Sequence, residues 1–128
     1  MRLLLDTHAL LFWLLDSARL SDRARAVFGD AENDLLWSAA SSWEVSIKYA
    51  LGRIELAKAP GEFFPELLRQ QRIGSLPIAH EHAFQVAALP PHHRDPFDRL
   101  LVAQAQVERI PILSRDSAFQ DYDVDVIW

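Results

Sequence analysis

The feature that most constrains this chain is a repeated handover from a short apolar run to a helical pattern, with an acidic residue at or just past each junction. Four carboxylates mark it: Asp6 in LLLDTHALL, Glu44 in SAASSWEVSIK, Asp98 in HHRDPFDRLLVAQA and Asp116 in PILSRDSAF. Strands alternating with helices predict an α/β chain with a parallel sheet covered on both faces. In such a sheet the carboxyl ends of the strands converge on one crevice. Acids gathered there repel one another and raise each other's pKa. A divalent cation removes that penalty, and hard oxygen donors favour Mg²⁺ or Mn²⁺.

Apolar periodicity and turn residues predict strands over 2–5, 35–38, 76–78, 110–113 and 124–127. They predict helices over 9–15, 21–30, 41–51, 60–73, 80–89 and 97–109, and a helical turn at 116–119. Gly52 stands where it would close the third helix, and Pro90-Pro91 breaks the chain before the last long one. The 128 residues suit one domain, 1–128, without repeat or linker, and 50% hydrophobic content is enough for a core. No cysteine is present, which removes disulfides, thiolate zinc sites and a Cys nucleophile. The opening MRLLLDTHALLFWLL is apolar, but Asp6 and His8 interrupt it and no small-residue cleavage site follows, so it reads as mature structure. No apolar run reaches the roughly 20 residues of a membrane helix. A cytoplasmic protein is the expectation. The net charge of −5 argues against gripping nucleic acid by charge alone, although bound metals would reverse the sign locally.

Each acid also has a plain structural reading. Asp6 could cap the helix starting at Thr7. Ser41-x-x-Glu44 has the spacing of a capping box. Asp95-Pro96 suits an N-cap followed by a first helical residue, and Asp116 could cap the turn after it. Asp6 and Asp98 resist this reading more than the others. Asp6 ends a buried strand, where a carboxylate is costly unless paired, hydrogen-bonded or metal-bound. Asp98 lies in the first turn of a largely buried helix, one turn after Asp95, and two acids so spaced repel.

The histidines say less. His92-His93 has no second His or Cys pair at zinc spacing, His8 sits near Asp6, and His80 and His82 read as surface residues. There is no G-x-S-x-G elbow, phosphate loop or dinucleotide turn. A phosphatase with Asp6 as nucleophile is a rival, but the residue two places on is His8 rather than a second acid.

The same segments resemble the PIN-domain proteins, specifically the VapC-type toxins of bacterial toxin–antitoxin pairs. LLLDTHALLFWL is similar to the first motif, SAASSWEVSIKYALGRIEL to the second, and LPPHHRDPFDRLLVAQAQVERIPILSRDSAF to the third and fourth; HRDPFDRLLVAQA is the most specific stretch. The resemblance spans essentially the whole chain. It implies a three-layer α/β/α fold with a central, mostly parallel sheet, and Mg²⁺-dependent endoribonuclease activity with Mn²⁺ as a substitute. It also implies an RNA substrate, a cognate antitoxin and a homodimer. Asp6, Glu44, Asp98 and Asp116 would be the catalytic metal ligands, with Asp95 as auxiliary acid or N-cap. Thr7 is placed to hydrogen-bond Asp6 or a ligand water, and Ser114 to do the same for Asp116. Lys48, Arg94, Arg99 and Arg115 are candidates for RNA phosphate contacts, and Lys48 has the equal alternative of an i,i+4 pair with Glu44. Some of Phe12, Trp13, Trp37 and Trp43 could cover a dimer or antitoxin surface. The alternative within the family is a catalytically silent domain that binds RNA or a partner.

Overall fold

A computed structural model describes residues 1–92 and 95–128. Five strands, β1 (Arg2–Leu5), β2 (Asp34–Ser38), β3 (Gly74–Leu76), β4 (Ile112–Leu113) and β5 (Val126–Ile127), form one sheet in the order β3-β2-β1-β4-β5. Every pairing is parallel, and β1 is central: Leu4 stands beside both Leu36 and Ile112. The helices are α1 (Thr7–Leu15), α2 (Asp22–Gly29), α3 (Ala39–Ala50), α4 (Pro60–Gln70), α5 (His80–Gln85) and α6 (Pro96–Glu108).

The two-residue period of the strands sorts the core into two layers. Leu3 and Leu5 of β1, with Leu35 and Trp37 of β2, pack with Ala9, Leu10, Ala24, Val45 and Phe64 from α1 to α4. Leu4 and Ile112 turn the other way and pack with Leu101, Val102 and Ala105 of α6 and with Phe119. Helices therefore cover both faces, which is why the strands read as unbroken apolar runs. This is the three-layer α/β/α arrangement expected from the sequence. No helix among the described residues is long and apolar enough to cross a membrane.

Several boundaries move for local reasons. α3 begins at Ala39, earlier than the expected 41, because Ser38 is its N-cap: Ser38 Oγ accepts the Ala40 N–H at 3.0 Å. The Ser41/Glu44 capping box therefore does not form, and both residues lie inside the helix on its buried face. β3 ends at Leu76, since Pro77 has no N–H to continue a ladder. The helix expected over 80–89 is α5 followed by a 3₁₀ turn at Val86–Ala88. Beyond β4, a 3₁₀ turn spans Ser117–Asp121, with Asp116 as its cap. Gly52 has φ of 72° just past α3, the left-handed position anticipated for it.

Candidate active site

The chain leaves β1 for β2 on one side and later returns to β4 on the other, so the strand order reverses at the β1/β4 boundary. Ligands in open parallel sheets bind at the carboxyl ends of strands flanking such a point. The last paired residues there are Leu5 and Leu113, and the next on each strand are Asp6 and Ser114. The Asp6 N–H donates to Leu113 O at 3.0 Å, which fixes the aspartate at the strand exit.

Ser114 ties two acids together. Its Oγ donates to Asp6 Oδ2 at 2.9 Å and accepts the Asp116 N–H at 3.0 Å. The expected pairing of Ser114 with the Asp116 carboxylate gives way to this bridge, because the serine follows β4 directly and its side chain meets the neighbouring strand. Asp116 Oδ1 instead accepts the Ala118 N–H at 2.9 Å, while its side chain is exposed at the rim.

Thr7 serves Glu44, not Asp6. Its Oγ1 lies 2.7 Å from Glu44 Oε1 and 2.8 Å from Ser41 Oγ. A hydroxyl has one proton to give, and the carboxylate is the stronger acceptor. Direction along the helix explains the change: as the first residue of α1, Thr7 faces the buried side of α3 rather than its own neighbour. Lys48, one turn after Glu44, donates to Glu44 Oε2 at 2.6 Å. Glu44 is only 3% exposed, so its charge is held by a hydroxyl on one oxygen and an ammonium on the other.

Asp98 enters from α6. Asp95 is the N-cap of that helix, its Oδ1 accepting the N–H groups of Phe97 and Asp98 at 2.9 and 3.1 Å. Burial pushes the Asp98 carboxyl up to about 8, helped by the charges of Asp95, Asp6, Glu44 and Asp116. Burial likewise raises Asp6 to about 6, with Glu44 and Asp116 adding to it, while the Ser114 hydrogen bond and His8 oppose the shift. Acids from β1, α3, α6 and the turn after β4 thus feel one another across one crevice, although they are scattered from position 6 to position 116 of the sequence. Trp43, exposed beside Glu44, meets Phe97, beside Asp98, edge to face at 4.9 Å. This aromatic pair joins α3 to α6 next to the acids.

The donor set is carboxylate oxygen throughout, with two members whose charged forms are disfavoured by burial. That chemistry suits a hard divalent cation, although the compact metal-type group among the described residues is Glu81, His82 and Glu108 and not these four acids.

The basic candidates divide. Lys48 pairs with Glu44, and Arg115 lies beside the crevice, its Cζ 5.3 Å from the Phe12 ring centroid. Arg99 is turned into the fold: it donates to Pro90 O at 2.8 Å and approaches Tyr122 Oη and the Val86 carbonyl at 3.4 Å. Arg94 and His93 lie outside the described residues. Among the large aromatics, Trp37 is buried against Phe64, and Trp13 stacks on Phe28 at 4.9 Å, so both serve intramolecular packing.

Two features escaped the sequence reading. His82 is buried, not superficial. Its Nδ1 accepts the Ala79 N–H at 2.9 Å, which puts the ring proton on Nε2, 3.1 Å from Glu108 Oε2. With Glu81 these residues form a compact ligand-type group, but the imidazole already has both nitrogens engaged. Gln104, fully buried on α6, accepts from Ser38 Oγ and donates to Pro77 O at 3.2 Å. It pins the helix carrying Asp98 to the strand end that leads to Glu44. The only sequence signal was a glutamine on an otherwise apolar helix face.

Comparison with known proteins follows the same lines. A family model described as the PIN domain matches residues 3–125. A segment of 62 residues is 36% identical to Ribonuclease VapC16 of Mycobacterium tuberculosis, which is 48% of this chain and 43% of that protein; the match spans less than half the length of that relative. The fold is similar to a crystal structure of VapBC2 from Rickettsia felis bound to a DNA fragment from its promoter, with a TM-score of 0.73, 13% identity and coverage of 100% of this chain and 99% of that one. It is also similar to FitAcB from Neisseria gonorrhoeae, with a TM-score of 0.68, 23% identity and coverage of 98% and 96%. At these identities the structural likenesses speak for the fold, and with the family model spanning residues 3–125 this chain belongs to the PIN domain family.

Proposed function

We propose that this protein is a metal-dependent endoribonuclease of the toxin type, restrained by a cognate antitoxin. The observation that carries the reading is the pair of acids, Asp6 and Asp98, raised to about 6 and about 8 at the switch point of a parallel sheet. Such a cluster is unfavourable as an apolar core and favourable as a cation site. Family membership and the similarity to a ribonuclease support the choice of RNA. The likeness to VapBC2 and FitAcB agrees in fold.

In this reading Asp6, Glu44, Asp98 and Asp116 hold Mg²⁺, with Mn²⁺ as the substitute. Held by these residues, a divalent cation would supply Lewis-acid activation of water near neutral pH and would offset charge developing on the phosphodiester. The chain's own residues do the positioning. Ser114 aims Asp6, Thr7 aims Glu44, and Asp95 starts the helix that presents Asp98. Arg115 is the candidate for phosphate contact in this reading, while Lys48 is engaged by Glu44. The antitoxin, and a homodimer as the toxin's resting assembly, are part of the same proposal.

The test is cleavage of labelled single-stranded RNA by antitoxin-free protein with Mg²⁺, with EDTA, and with Asp98→Asn. Cleavage that requires both Mg²⁺ and Asp98 is the expected result. Cleavage that persists in the variant, or a folded, Mg²⁺-binding protein that cuts no RNA in a diverse transcript pool, would overturn it.

A further inference from the structure

Beside the acids lies a cleft of about 460 Å³, within the roughly 300–1,000 Å³ typical of small-molecule sites. Asp6 and Asp116 form its edge toward the candidate metal centre, and His8, Phe12, Arg19, Arg115 and Ser117 line the rest. The two arginines come from opposite ends of the chain. Arg19 ends a 3₁₀ turn at Ser17–Arg19 after α1, and Arg115 follows β4. Both guanidiniums nevertheless converge on one ring, their Cζ atoms 5.5 and 5.3 Å from the Phe12 centroid.

Each guanidinium gains about 0.5–1 kcal/mol from the ring at an exposed site, and each carries five N–H donors that an anion in the cleft can engage. Arg19 also pairs with Asp16 at 3.0 Å, but both side chains are more than half exposed, and a guanidinium has five donors to distribute. Arg115 lines the same space. The cleft further offers flat rings: His8 and Phe12 lie 6.2 Å apart on the first two turns of α1, tilted by 41°. Paired guanidiniums with aromatic faces are what a single-stranded nucleotide needs, since phosphate takes the charge and the base takes the stacking.

We infer that this cleft binds the nucleotide adjoining the scissile phosphate, with Arg19 and Arg115 on its phosphate and Phe12 and His8 against its base. The inference rests on the ribonuclease reading and adds a substrate subsite to it. Arg19 and Phe12 become RNA-binding residues, and stacking rather than base-edge hydrogen bonding governs preference at this position.

The test separates binding from cleavage. Affinity for fluorescein-labelled single-stranded RNA is measured by anisotropy across a salt series with Mg²⁺, in full-length protein carrying Asp98→Asn so that the RNA survives. Onto this background are placed Arg19→Gln with Arg115→Gln, Phe12→Leu, and Arg23→Gln on α2 as a control for net charge. Thermal melts confirm that each variant folds. The double arginine variant is expected to bind about tenfold more weakly, with a logarithmic salt slope shallower by about 0.7 for each phosphate no longer neutralised. Phe12→Leu should lose about fivefold or more at unchanged salt slope. Arg23→Gln should change neither.

Wild-type protein that cleaves RNA, with binding indifferent to the cleft substitutions, overturns the subsite and leaves the ribonuclease standing. Substitution-sensitive binding without any Mg²⁺-dependent cleavage by the wild type overturns the ribonuclease and leaves the subsite standing. Equal losses in the Arg23→Gln control would reduce the effect to net charge and overturn the subsite as well.

Discussion

Replacing Asp6 by Asn should stabilise the metal-free protein while abolishing its activity. Asp6 is 4% exposed, and its carboxyl is raised from 3.8 to about 6, burial being the largest cause. In the unfolded chain the same group titrates near the ordinary aspartate value. The folded state therefore holds the proton over a window in which the unfolded state has lost it, and stability falls as pH rises through that window. A shift of about two units corresponds to roughly 3 kcal/mol of destabilisation once pH exceeds both values. Asn removes this term and keeps the shape. Its Oδ1 can still accept from Ser114, and its amide faces the carboxylates of Glu44 and Asp116, whose charges act on this position. A gain on the order of 3 kcal/mol would raise the melting temperature by about 10 °C in a chain of this size. The assay is thermal unfolding in EDTA between about pH 2.5 and pH 8, a range that brackets the two values. The gain should be largest at the alkaline end and vanish toward the acid end, where Asp6 is protonated in both states. Wild-type protein should recover stability with Mg²⁺, by about 2.7 kcal/mol at a hundredfold excess over its dissociation constant. The variant should recover much less. An Asn variant that melts at or below wild type at the alkaline end, or gains equally at both ends, would refute the electrostatic reasoning.

The network around Glu44 yields further expectations. Thr7→Val removes a hydroxyl from a buried carboxylate, so it should cost roughly 1.5–3 kcal/mol in denaturant unfolding and weaken Mg²⁺ binding in calorimetry; unchanged Mg²⁺ affinity would count against its positioning role. Lys48→Met leaves Glu44 without its cation. Because Lys48 is 35% exposed, the loss in EDTA should be about 2 kcal/mol rather than the larger cost of a fully buried pair, and Mg²⁺ should restore much of it. A loss unaffected by Mg²⁺ would show that the lysine and the cation do not share Glu44.

Asp6 and Asp98 were legible in the sequence because each breaks an apolar pattern at a junction, where a charge needs a reason. Their partners were less so. Spacing put Ser41 and Glu44 in a capping box, but spacing carries no information about where the helix starts, and Ser38 capped it first. Thr7 and Ser114 were recognisable as helpers of the acids and matched to the wrong acids, since each was paired with its chain neighbour. Parallel strands and their crossovers make the relevant neighbour one that is distant in sequence: Ser114 meets Asp6 across 108 positions and Thr7 meets Glu44 across 37. Arg99 looked equivalent to Arg115, and only its direction, toward carbonyls of the Pro90 region, tells them apart.

By itself the sequence determined the alternation of strand and helix, the apolar strands that demand cover on both faces, and the acids at the strand exits. These follow from local periodicity and from the cost of burying charge, both readable along one dimension. Tertiary structure decided the rest. The reversal of strand order at β1/β4 selects which exits form one crevice. Burial there raises Asp6 and Asp98, and cross-strand hydroxyls choose the acid they serve. Arg19 and Arg115, from opposite ends of the chain, come to share one aromatic ring. Electrostatic coupling and hydrogen-bond direction depend on distance and angle in three dimensions, which no spacing along the chain encodes.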